Sequence, residues 1–193
     1  FALAVAAMCA GIPVPDTETS GAVREALPLL GGQLARFQAA YPVWSKFAAG
    51  FMLLFAGMCT GRISIRYNLY TVGTCLPIPL YAIVACGIAT GGNYLAGFAA
   101  SMLLALATKN YCRAFCNGYG FDAIFRASLY LGLMPLIYAP ALPLLLLLPL
   151  AVLLFRRTFR EVVVATAGLL LPIFTACYVS WGSGAEFTAP LVT

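Results

Sequence analysis

Hydrophobic positions in this chain fall in long uncharged blocks, separated by short clusters of charged and turn-forming residues. Such blocks predict membrane-crossing helices, because about 20 apolar residues span the ~30 Å hydrocarbon core of a bilayer. They predict span 1 over 1–14, span 2 over 43–61, span 3 over 67–90 and span 4 over 94–108. Pro77 and Pro79 fall in the middle of span 3, and the Gly91–Asn93 turn joins it to span 4. A further block is the 29 uncharged residues between Arg126 and Arg156. As one helix it would run about 44 Å. Pro135, Pro140, Pro143 and Pro149 supply places to turn back. Basic residues at both ends favour entry and exit on one side. The region 122–161 is therefore expected to be a Pro-broken hairpin, spans 5 and 6, followed by span 7 over 162–181.

The fold class expected is all-α: a polytopic integral membrane helical bundle of about seven spans, or six if the hairpin is one tilted span. Residues 1–193 form a single membrane domain without internal repeat or soluble linker. Its first residue, Phe1, lies inside an apolar run, so a trimmed N-terminus and a truncated first span are expected.

Between spans 1 and 2 the pattern changes. Val23, Leu27, Leu30, Leu34, Phe37 and Tyr41 recur at steps of four and three, which is one helix face. Arg24, Glu25, Gln33, Arg36 and Gln38 fall largely off it. This predicts an amphipathic helix lying in the membrane interface, bent or broken at Pro28 and Gly31–Gly32.

Composition agrees. Hydrophobic residues make up 63% of the chain, charged residues 9%, and mean hydropathy is +0.95, against roughly a quarter charged in soluble domains. The net charge of +5 matters less than its placement. Loops at 62–66, 109–126 and 156–160 hold eight of the eleven Lys and Arg residues. The opposite side receives Arg24, Arg36 and Lys46 with Asp16, Glu18, Glu25 and Glu186. The basic loops are expected in the cytoplasm, with the N-terminus cytoplasmic and 15–42 periplasmic at a bacterial inner membrane. Clusters of this kind mark topology rather than a nucleic-acid surface.

The chain has no histidine, which removes Ser-His-Asp triads and imidazole metal sites. Seven scattered cysteines suggest no disulfides. Cys112 and Cys116 supply half of a zinc site with nothing to complete it, so no metal or cofactor is expected.

Asp16 and Glu18, just past the outer end of span 1, are candidate catalytic carboxylates for a lipid-borne substrate. The plainer reading is that this segment caps the following helix. Arg126, at i+4 from Asp122, and Arg156, Arg157 and Arg160 are candidates for holding an anionic head group. The plainer readings are a surface ion pair and a topology anchor.

The pieces GRISIRYNLYTVGTCLPIPLYAI and ATKNYCRAFCNGYGFDAIFRASLYLGLMPLIYAPALPLLLLLPLAVLLFRRTFREVVVATAGLLLPIFTACYVSW resemble an uncharacterised multi-pass inner-membrane protein family of Bacteroidota. Phe121–Ala123, Tyr138–Pro140, Arg156–Arg157, Phe159–Glu161 and Pro172 carry the resemblance, which implies location and topology rather than an activity. In topology the chain is also similar to membrane glycosyltransferases that use polyprenyl-phosphate sugars. That similarity puts Asp16 or Glu18 in the catalytic carboxylate position. The expected function is handling of a lipid or lipid-linked sugar at the outer leaflet. The alternative is a non-catalytic subunit or scaffold of an envelope complex. Expected partners are membrane lipids, a lipid-linked sugar and other membrane proteins, with no nucleic acid.

Overall fold

A computed structural model of the chain describes residues 29–67, 77–86, 93–116, 120–146, 159–184 and 187. These residues are mostly helical and contain no strand, as the hydrophobic pattern requires. In order they form α1 (Leu29–Ala40), α2 (Pro42–Arg66), α3 (Pro77–Cys86), α4 (Tyr94–Cys116), α5 (Phe121–Ile137), a 3-10 segment (Ala139–Leu146) and α6 (Phe159–Gly182). Among the described residues, α2 and α6 are the two helices long and apolar enough to cross a membrane. Span 1 and the segment carrying Asp16 and Glu18 lie outside them, as do Pro149, Arg156 and Arg157.

Several boundaries differ from the sequence expectation, each for a local reason. Helix α2 continues past Gly61 to Arg66, because Gly61, Ile63 and Ser64 are buried and hold that last turn against the bundle. Gly61 sits where a Cβ would meet the side chain of Ile78, so it serves as a packing position rather than a stop. Arg62 and Arg66 are therefore on a helix, not in a loop. Helix α4 likewise runs through Lys109 and Arg113 to Cys116. Pro77 and Pro79 stand in the first turn of α3, where a missing N–H costs nothing. Helix α5 ends two residues after Pro135, with Tyr138 extended. The 3-10 segment then folds back, burying Ala141 in one cluster with Leu131 and Met134.

Buried contacts fix the directions of the first helices. Ser45 and Tyr94, near the starts of α2 and α4, share a hydrogen bond 2.6 Å long. Cys59 and Ala105 share a cluster further along, so α2 and α4 run parallel. Helix α3 returns between these levels, with Ile78 at Gly61 and Ala85 packed with Ala49 and Leu53. Helix α5 starts beside Ala114 and runs back along α4 through Ala123, Ile124, Leu131 and Met134.

Helix α1 crosses the end where α2 and α4 begin. There the buried Gln38 accepts a hydrogen bond from the Leu95 amide at 3.3 Å. That amide lies in the first turn of α4, where helices lack internal partners. The inward positions of α1 are Gly31 and Gln38, with Leu34 half-buried. The stripe residues Leu30, Phe37 and Tyr41 are exposed, and α1 continues unbroken through Gly31–Gly32.

Helices α5 and α6 meet most closely through glycines. A Cβ on Gly132 would strike the backbone carbonyl of Leu169, and one on Gly168 would come within 2.8 Å of the Phe125 carbonyl. Small residues let two backbones approach this way in bundles that lack a hydrophobic drive between helices.

Candidate anion-binding cleft

The parallel course of α2 and α4 brings their last turns together. At 1.5 Å per residue, Arg62 and Arg66 lie about 26 and 32 Å along α2 from Ser45. Lys109 and Arg113 lie about 22 and 28 Å along α4 from Tyr94. The tied starts thus place the four cations at overlapping heights, alternating between the two helices. Arg126 and Tyr130, near the start of α5, complete a cleft of about 230 Å³. Its other lining residues are Cys59, Ile63 and Leu106, which are apolar, and Tyr67 and Asn110, which offer neutral polar groups.

Among the described residues the electrostatics are one-sided, for the lining has five cations and no carboxylate. Arg62/Arg66 and Lys109/Arg113 are both like-charged pairs one helical turn apart, an arrangement that costs a few tenths of a kcal/mol in an isolated helix. The ends of α2 and α4 offset part of this, because each helix C-terminus carries about half a negative charge. Asp122 offsets a further charge through Arg126, whose Nε donates to the Asp122 Oδ1 at 3.0 Å. Both side chains of that pair are well exposed, so the contact orients Arg126 more than it stabilises the fold. Counted over the described lining, Asp122 and the two helix ends, about three positive charges remain.

On another side of α4, Tyr111 stacks on Phe115 with ring centroids 5.8 Å apart. Burial raises its phenol above the ordinary range, and the neighbouring Ser128 hydroxyl offsets part of that rise. Tyr111 therefore stays neutral beside the cleft.

Of the residues singled out from sequence, Arg126 is in the cleft. Arg160 is exposed in the first turn of α6 and is not among the lining residues. Asp16, Glu18, Arg156 and Arg157 lie outside the described residues. The cleft adds Arg62, Arg66, Lys109 and Arg113, which sequence reasoning treated as topology markers in loops. A signal was present, since RISIR and KNYCR both place two cations at i and i+4 straight after an apolar block. That spacing puts each pair on one face if the helix continues that far.

A second surface lies where α1 meets α2. Phe37, Tyr41, Trp44, Phe47, Ala48 and Phe51 line a shallow apolar groove there. Its rings pair as Phe37–Tyr41 and Trp44–Phe47.

No protein-family model, curated protein or solved structure matches this chain. The class defined by the described residues is an all-helical bundle with two candidate membrane spans and a cationic cleft between helix ends.

Proposed function

We propose that the chain is a multi-pass inner-membrane protein that holds a phosphate-bearing anion, such as a lipid head group, at its cytoplasmic face. The observation that carries this reading is the convergence of Arg62, Arg66, Lys109, Arg113 and Arg126 in a cleft without a carboxylate. Arginine forks match phosphate oxygens, and basic pockets between helices on the cytoplasmic side suit anionic head groups.

The membrane reading has support of its own. From Trp44 to Arg62 along α2 is about 27 Å, and from Arg160 to Trp181 along α6 about 32 Å. Each interval matches the hydrocarbon core and carries aromatic residues at one end and cations at the other. Phe47, Phe51, Met58, Ile83, Val84, Phe174 and Tyr178 are all more than half exposed. A surface that apolar fits lipid rather than water. The exposed stripe on α1 fits a helix seated in the opposite interface.

Among the described residues the lining offers cations and neutral donors but no carboxylate, which favours binding and orienting the anion over transforming it. An outer-leaflet transferase would rest instead on Asp16 and Glu18. The test of the proposal is phosphate-dependent binding to the purified protein, combined with impermeant thiol labelling of single cysteines. A cysteine at Gln33 should react from the periplasm and one at Arg66 from the cytoplasm. Labelling of both from the same side would overturn the topology.

A further inference from the structure

We infer that the cleft takes a ligand with two linked phosphates rather than one. This rests on the reading of the cleft as a phosphate site and specifies what occupies it.

Charge is the first argument. About three positive charges remain after Asp122 and the helix ends are counted. A single phosphodiester brings one negative charge, and a phosphomonoester about one and a half to two, so either leaves part of that excess standing. A diphosphate, or two phosphodiesters joined by a short linker, brings two or three and comes close to neutralising it. Unbalanced charge is more costly at the edge of a low-dielectric region than in open water.

The second argument is the arrangement in two arms. Arg62 and Arg66 come from α2, and Lys109 and Arg113 from α4. Within each arm the cations are one turn, about 6 Å, apart, and the two arms are offset by about 3 Å along the helices. Each arm therefore offers its own pair of cations to an anion, and both arms line one cavity. Arg126 enters from a third helix. With its Nε committed to Asp122, its Nη nitrogens are the donors left for a ligand. The apolar floor of Cys59, Ile63 and Leu106 suits the first carbons of a lipid.

Two sources share this chemistry: a lipid with two phosphates, and a soluble diphosphate. The full chain, held in phosphatidylcholine nanodiscs, is titrated with inorganic orthophosphate and pyrophosphate. It is also assayed in nanodiscs containing phosphatidylglycerol or cardiolipin at equal phosphate content. At least one two-phosphate probe should bind about tenfold or more tightly than its one-phosphate counterpart. A preference confined to cardiolipin assigns a lipid, and one shown by pyrophosphate assigns the diphosphate group itself. Arg66→Gln and Arg113→Gln should each lower two-phosphate affinity about tenfold and bring the ratio toward one. Both side chains are exposed, so helicity by circular dichroism should be unchanged. Equal binding of one- and two-phosphate probes would overturn this inference while leaving an anion site in place. Failure of every phosphate probe to bind would remove the anion site as well.

Discussion

Ser45 Oγ and Tyr94 OH lie 2.6 Å apart in a buried hydrogen bond between residues 49 apart in sequence. The direction of the bond follows from a second contact. Ser45 Oγ donates its proton to the Pro42 carbonyl at 2.8 Å, so the tyrosine must be the donor to Ser45. This tie sets the relative height of α2 and α4, and with it the meeting of Arg62 and Arg66 with Lys109 and Arg113 at the far end.

The two partners are therefore expected to respond unequally to deletion. Tyr94→Phe removes a donor and leaves the Ser45 proton satisfied, costing about 1 kcal/mol. Ser45→Ala strands a buried phenol without its acceptor and should cost more, about 1–3 kcal/mol. Thermal unfolding in detergent should rank Ser45→Ala below Tyr94→Phe. The reverse order would mean that the tie is not what holds the two helix starts together.

Glycine substitutions should grade with what stands in the way. Gly132→Ala and Gly168→Ala push a methyl group onto backbone carbonyls of the facing helix, and each should cost about 2 kcal/mol or more by forcing α5 and α6 apart. Gly61→Ala meets only the side chain of Ile78, which can turn aside, so its cost should be smaller. Gly32→Ala meets nothing within 4 Å and should be neutral or stabilising by up to about 1 kcal/mol. The same melting experiment reads the whole series.

Asp122→Asn should separate stability from binding. The exposed pair with Arg126 contributes about half a kcal/mol or less, so the melting temperature should hardly move. Removing the carboxylate leaves the cleft more positive, so pyrophosphate should bind several-fold more tightly and with a steeper salt dependence. Weaker binding in Asp122→Asn would show that orienting Arg126 matters more than the charge of Asp122.

Asp16→Asn combined with Glu18→Gln discriminates between the cleft and the acidic segment as the place of anion binding. If phosphate binding belongs to the cleft, this double variant should match the parent within about twofold on the pyrophosphate titration, which resolves differences of that size. A tenfold loss would assign the anion binding to Asp16 and Glu18 instead of the cleft.

Much of the helical layout was legible in the pattern of apolar blocks, because each block has to be long and uncharged to pack or to meet lipid. What was not legible is where the helices stop. Nothing local ends α2 at Gly61 or α4 at Thr108; the turns beyond them persist because Ile63, Ser64 and Ala114 bury their side chains against neighbouring helices. The cleft was hidden for the same reason. Its five cations come from three separate segments, and it takes the buried tie between Ser45 and Tyr94 and the packing of Cys59 with Ala105 to show that two of those segments end side by side. The sense of the α1 stripe was partly legible: the periodicity is there, but Gly31 and Gln38 face the bundle while Phe37 and Tyr41 face away.

Because the cleft is assembled from the tips of three helices, it does not exist in a partly unfolded chain. An anion that occupies it therefore binds the assembled state alone and stabilises it by mass action, by about 2.7 kcal/mol at one hundred times its dissociation constant. For a protein of this size that is a large share of a typical stability margin. If the anion is a lipid head group, as proposed, the lipid composition of the surrounding bilayer becomes a determinant of whether the bundle persists. In that case, depleting the membrane of its anionic lipid should shorten the lifetime of the protein.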